Sequence, residues 1–200
     1  MGRKVEKKSN DGKLTFRAEY VDKVPPISAA DDGKTIYLRE LPAERLKNMT
    51  SVSGCAWCAA PMGAVAKEFG DKAWEVAREA MKKFAYERAK TTLKEQNVDL
   101  TDARALGRWM DFEDNILGIE GEYVEYSKKK AVRLQFHCPW AEMIKDQDAV
   151  GVCTYMMAGY MEGVRDAMKE LGAKLKDLPP RFPCLTTGDP YCELIWELED

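Results

Sequence analysis

The sequence predicts an α+β fold, an antiparallel sheet with a layer of helices. Three observations carry this prediction. Apolar residues recur at helical spacing over one long helix in the first half. From Ile119 the period changes to two. A strongly amphipathic helix is then written over about 149–171. Residues 1–50 read as an N-terminal arm or lead-in, and 51–200 as the α+β domain that bears the cysteines.

Residues 1–35 are polar and carry the turn signals Asn10-Asp11-Gly12, Pro25-Pro26 and Asp32-Gly33. Leu14, Phe16 and Tyr20 share parity, which allows a short strand, and Thr35-Ile36-Tyr37-Leu38 is a second strand candidate. Pro42 is placed to open a short helix. Ser53-Gly54-Cys55-Ala56-Trp57-Cys58 reads as a small-residue turn, after which Pro61 fits an early helix position. The long helix runs to about Gln96, with Val65, Phe69, Ala73, Val76, Ala80 and Phe84 as apolar positions and a break at Gly70 or Asp71. Thr101 or Asp102 caps the next helix, which ends at Gly118.

A hairpin follows, with Tyr123–Tyr126 and Ala131–His137 flanking the basic turn Ser127–Lys130. Val132, Leu134 and Phe136 share an apolar face; Arg133, Gln135 and His137 share the other. Alternation continued one step puts Cys138 on the apolar face. Asp148 is a cap for the amphipathic helix, whose stripe is Val150, Cys153, Met157, Tyr160, Met161, Val164, Met168 and Leu171, with Gly172 as the stop. Pro179, Pro180 and Pro183 break the chain, and the turn Thr187-Gly188-Asp189-Pro190 leads to a closing strand. In that strand Cys192, Leu194, Trp196 and Leu198 face one way.

The chain has 200 residues, is 45% hydrophobic and carries a net charge of −3. That suffices for a full core without covalent staples. The lack of a basic excess argues against nucleic acid as a partner, and no apolar run approaches the roughly 20 residues of a membrane span. The polar N-terminus lacks the apolar core of a secretory signal, so the cytoplasm is the expected compartment. There, six cysteines are expected as thiols, metal ligands or catalytic groups rather than disulfides. A single histidine all but rules out a triad or a multi-histidine metal site within one chain.

Cys138, Cys153 and Cys192 each fall on the inward face of a different element, and Cys184 lies just before the closing strand. Convergence of the four would make a soft-ligand site suited to zinc; simple packing is the alternative, because free cysteine is among the most buried residue types. Cys55-x-x-Cys58 is half a metal site or a redox pair, and a helix starting after it would lower the pKa of Cys58, the candidate nucleophile. His137 and Glu142 are candidate acid/base groups, with exposed strand-end and surface roles as alternatives; Glu162 is an edge residue of the stripe. Met157, Tyr160 and Met161, with Trp140, are candidates to line an apolar ligand pocket, or else they fill the core.

The order His137-Cys138-Pro139-Trp140-Ala141-Glu142, Cys153 with Ala158-Gly159-Tyr160, then Cys184 and Gly188-Asp189-Pro190-Tyr191-Cys192-Glu193 resembles the L-2-amino-thiazoline-4-carboxylic acid hydrolase-like family. It also resembles the vinyl-4-reductase-like small-molecule-binding domains. The resemblance covers roughly 60–200 in element order and specific motifs from about 137. It implies a helix layer over an antiparallel sheet, a homodimer, and hydrolytic C–N ring opening of a small thiazoline. The vinyl-4-reductase-like domains imply instead a structural zinc on three cysteines and a glutamate beside an apolar pocket. Cys153, Cys184 and Cys192 match the cysteines of that pattern; Arg181 stands where the glutamate belongs, leaving Cys138, His137, Glu162 or Asp189 as substitutes. Three functions follow as expectations: a C–N hydrolase using His137, Cys138, Glu142 and Cys58; a non-catalytic zinc-bearing module that binds a small molecule; and a haem or iron–sulfur protein.

Overall fold

The computed structural model describes residues 2–10, 13–23, 35–39, 42–177 and 182–199. The turns expected at Asp11-Gly12, Pro25-Pro26 and Asp32-Gly33, and the Pro179-Pro180-Arg181 segment, lie outside the described residues. The chain divides into two compact units, Met1–Leu46 and Lys47–Asp200. The fold is α+β, as the change of period predicts.

In the first unit, strands β1 (Gly2–Asn10), β2 (Lys13–Val21) and β3 (Thr35–Arg39) form an antiparallel sheet in the order β2-β1-β3. The segment expected as an arm or lead-in thus carries a sheet. Lys4 pairs in register with Glu19, and their charges approach to 3.9 Å, a cross-strand attraction that favours this pairing.

The second unit holds helices α1 (Ala43–Phe69, its first residues lying in the first unit), α2 (Asp71–Glu95) and α3 (Ala103–Leu117). Strands β4 (Glu120–Tyr126) and β5 (Lys130–His137) follow, then helix α4 (Pro139–Asp146). A π-helical stretch, Val152–Met157, runs into helix α5 (Ala158–Glu170). A 3₁₀ turn (Leu185–Thr187) and strand β6 (Cys192–Glu197) close the unit, whose sheet has the antiparallel order β4-β5-β6. Among the described residues no helix is long and apolar enough to cross a membrane.

The turn expected at 53–58 is instead continuous helix, and Pro61 lies inside α1. Burial explains this, because Cys55 and Ala59, one turn apart, are both enclosed, and tertiary packing overrides weak local preference. The break falls at Gly70, whose φ of 67° only glycine adopts readily. Asp102 caps α3 by accepting from Arg104 N–H at 2.9 Å. Asp148 is not the cap expected of it; it takes a left-handed turn conformation with φ 52° before the π-helical stretch.

Two expected faces are corrected. On the long helices Val65, Phe69, Val76 and Phe84 are exposed, and α2 buries Ala73, Trp74, Ala85, Ala89 and Leu93. The reason is the close approach of α2 to α5. A Cβ on Gly159 would stand 2.4 Å from the Arg78 carbonyl oxygen, and one on Gly163 would stand 2.1 Å from that of Lys82. Backbones that near exclude bulky side chains between them, so residue size does not report burial there. In β5 the covered positions are Ala131, Val132, Arg133 and Gln135, whereas Phe136 is 53% exposed. Arg133 and Gln135 point inward because both donate to Asp114 on α3, Gln135 Nε2 at 2.6 Å. A buried carboxylate supplies the partners that polar inward residues need.

Two apolar clusters result. The larger joins Ala85, Ala89 and Leu93 of α2 to Leu106, Trp109 and Met110 of α3, Val164 and Met168 of α5, and Trp196 of β6. The smaller joins Cys55 and Ala59 of α1 to Trp74, Ile144, Ala149, Val152 and Met156.

Candidate functional site

The six cysteines are free, and four come from segment ends or irregular turns. Cys138 is the residue before α4, Cys153 lies in the first turn of the π-helical stretch, Cys184 precedes the 3₁₀ turn and Cys192 opens β6. A π-helical turn widens the helix and re-aims its side chains, and here it carries Cys153 to Cys184. Gly188, with φ 94°, closes the hook between Cys184 and Cys192. Inside the hook the Cys184 N–H donates to Asp189 Oδ2 at 2.9 Å, and the Leu185 N–H donates to Cys192 Sγ at 3.2 Å.

Cys184 is the centre of the group. Its Sγ accepts from Cys192 Sγ at 3.9 Å and lies 3.0 Å from Thr186 Oγ1. Thiol donors from Cys153 and then Cys192, with Thr186 beside them, hold Cys184 far below the ordinary thiol range. The same hydrogen bonds, together with burial, push Cys153 and Cys192 up. Cys138 is raised by burial, partly offset by N–H donors from Trp140 and Ala141, and it feels the charge of Cys184. Among the described residues no three His, Cys, Asp or Glu side chains stand in the geometry of a metal centre; the sulfurs hydrogen-bond one another instead.

The structure brings together Cys138, Cys153, Cys184 and Cys192, and it extends the group. Cys55 is pushed up to about 12 by burial, then by the neighbouring sulfurs of Cys58 and Cys138. Cys55 and Cys58 are one helical turn apart within α1. The lowering expected for Cys58 at a helix start is therefore absent; burial raises it. Its Sγ donates to Met156 Sδ at 3.8 Å.

The other expected site residues are exposed, packed into the clusters or ion-paired. His137 and Glu142 are exposed. Trp140 donates from Nε1 to Ser51 Oγ at 2.7 Å and packs against the smaller cluster. Tyr160 is buried in the larger cluster, accepts from Arg88 Nη1 at 3.0 Å and stays protonated because burial raises it. Met157 and Met161 pack against that same cluster. Glu162 is ion-paired with Arg78.

One feature escaped the sequence reading. An open groove of about 630 Å³ runs between α3 and the β4–β5 pair, lined by Arg108, Asp111, Phe112, Ile119, Glu120 and Phe136 among others. Its signal in the sequence was faint: Phe112 breaks the apolar pattern of α3, and Phe136 looked like a core residue.

No protein-family model and no curated protein matches the chain. Among solved structures, the chain is similar to a trafficking protein particle complex subunit 3 from Naegleria fowleri covalently bound to palmitic acid. That likeness has a TM-score of 0.42 and 11% identity, and it covers 78% of this chain and 97% of that one. It is too distant to carry a functional argument.

Proposed function

We propose that residues 47–200 form a non-catalytic small-molecule-binding module whose late elements are tied together by zinc on Cys138, Cys153, Cys184 and Cys192. The observation that carries this reading is the 3.9 Å separation of Cys184 and Cys192 Sγ. Thiolates about 2.3 Å from a tetrahedral zinc stand about 3.8 Å apart. The Leu185 N–H on Cys192 is the kind of second partner that orients a metal-bound sulfur. Cys153 already touches Cys184 through a hydrogen bond, and rotation of Cys138 and Cys153 would complete an all-sulfur set. Cys138 thereby stands in for the glutamate of the resembling domains. Zinc would supply cross-linking of chain ends that bury little apolar surface. The groove, where Phe112 and Phe136 stand among Arg108, Asp111, Glu120 and Arg133, suits a small ligand that joins an aromatic part to a polar or charged one. Six free thiols fit a reducing, cytoplasmic setting, and the resemblance adds a homodimer.

Elemental analysis of protein purified under reducing conditions tests this. One zinc per chain, lost in Cys184→Ser and Cys192→Ser, is expected. Protein free of zinc, and unable to take it up when reduced, would sink the reading.

A second reading, hydrolytic opening of a thiazoline-type ring, draws on one observation: Cys184 Sγ accepts from Cys192 and lies 3.0 Å from Thr186 Oγ1, contacts that lower its pKa toward the thiolate, the reactive form of cysteine. His137 and Glu142 are exposed and would act only from the rim. Turnover of a thiazoline carboxylate, abolished in Cys184→Ser while His137→Asn merely slows it, would move the balance to this reading.

A further inference from the structure

Cys55 and Cys58 are left over from the four-sulfur group, yet they are neither remote from it nor simple filling. Both project from the same face of α1, because residues three apart in a helix are neighbours. A third sulfur faces them from another element: Met156, from the π-helical stretch, meets Cys58 at 3.8 Å. Cys55 is fully enclosed and Cys58 is half-buried at the edge of the same cluster. The walls are apolar, with Met62, Ala66 and Trp74 in that cluster.

We propose that Cys55, Cys58 and Met156 form a second metal site, selective for monovalent copper, Cu(I). Three sulfurs each about 2.3 Å from a central ion stand about 4 Å apart in a trigonal plane, close to the observed Cys58–Met156 spacing. Two thiolates and one thioether are a soft set, which Cu(I) prefers and hard or oxygen-seeking cations do not. Only three sulfurs converge, and a low-coordinate all-sulfur set suits Cu(I) better than ions that require four or more ligands. Binding balances as Cu(I) plus two thiols giving a dithiolate–thioether complex and two protons released to solvent; no electron moves. The proposal stands independently of the zinc reading.

The test titrates reduced, zinc-treated protein with Cu(I) delivered from its bicinchoninate complex under anaerobic conditions, while released zinc is followed separately. Wild type is expected to take one equivalent of Cu(I) that the double variant Cys55→Ser/Cys58→Ser does not take. Any zinc bound elsewhere stays in place during that equivalent. Loss of outer-shell partners alone weakens metal sites ten- to a hundredfold, so Met156→Leu, which keeps the volume, is expected to weaken this site at least about tenfold. Equal copper uptake by wild type and the double variant overturns the proposal. So does unchanged affinity in Met156→Leu, or uptake that occurs only as zinc leaves. Far-UV circular dichroism of each variant confirms that α1 is retained, and Met156→Leu carries the test should the double variant unfold.

Discussion

The two clusters of the second unit are built by different means. The larger is made of regular elements: α2 lies along α5 at glycine-permitted distance, and α3 is pinned to the sheet by Asp114. The smaller, with the cysteines beside it, is made of ends and irregularities: a one-residue lead into α4, a π-helical stretch, a 3₁₀ hook and the face of α1. The first holds itself by packing and paired charge. The second holds polarisable sulfur in place with hydrogen bonds among the thiols themselves and from Thr186 and the Leu185 N–H, an arrangement to which an ion could add stability.

The sharpest way to break this contrast is Asp114→Ala. Asp114 is 4% exposed and accepts from both Arg133 and Gln135. Removing it leaves Arg133 buried with only Asp111, at 3.4 Å. Breaking a buried pair from one side costs about 3–5 kcal/mol, and urea unfolding should show a loss in that range. A loss below about 1 kcal/mol would mean that α3 does not depend on the charge for its place on the sheet.

A glycine pair gives opposite signs in the two regions. Gly163→Ala drives a methyl into the Lys82 carbonyl, and overpacking of this kind costs about 1–3 kcal/mol. Gly54→Ala, on α1, meets nothing within 4 Å and should stabilise by up to about 1 kcal/mol through helix preference. Melting temperatures that shift the same way in both would contradict the difference in packing density.

These residues also explain what the sequence could and could not disclose. The hairpin, the closing strand and the cap at Asp102 were legible because they rest on local chemistry: period two, a side chain reaching its own backbone, a glycine stop. Alternation and helical spacing point Cys138, Cys153 and Cys192 inward, and all three are half-buried. For Cys138 the cause was different, since it reaches the site as the residue before α4 and not by strand alternation. The buried face of α2 was hidden because alanines and glycines face one another there, a property of two helices and not of either. Arg133 and Gln135 were read as outward because their partner lies on α3, about twenty residues earlier in the chain. The adjacency of Cys55 to Cys138 depends on α1 running on through a stretch of small residues, and nothing local decides that.

Alkaline pH probes the sulfur-rich region. Cys55 in the folded chain is raised to about 12 from 9.0. Its proton is thus kept by the folded state after the unfolded state has lost it. The stabilising contribution is full below pH 9, and it falls as pH rises from 9 toward 12. The slope is at most about 1.4 kcal/mol per pH unit. Urea midpoints of metal-free protein between pH 8.5 and 10.5 should fall less steeply in Cys55→Ala than in wild type. Parallel slopes would mean that Cys55 is solvated and the region looser than its burial implies.

The smallest effect tests whether the two regions are joined. Ser51 is buried on α1, donates from Oγ to the Leu117 carbonyl at 2.7 Å and accepts from Trp140 Nε1 at 2.7 Å. It thus ties the end of α3 to α4, one side belonging to the regular region and the other to the sulfur-rich one. Ser51→Ala removes both bonds and leaves the indole N–H without its acceptor, a change of about 1 kcal/mol. The more telling readout is local. If Ser51 couples the regions, hydrogen exchange should speed up both at the C-terminal turn of α3 and in α4, because a bond holding two ends fails at both. Faster exchange confined to α4 would show that α3 is held by Asp114 and its apolar face alone, and that the sulfur-bearing region opens independently of the core beside it.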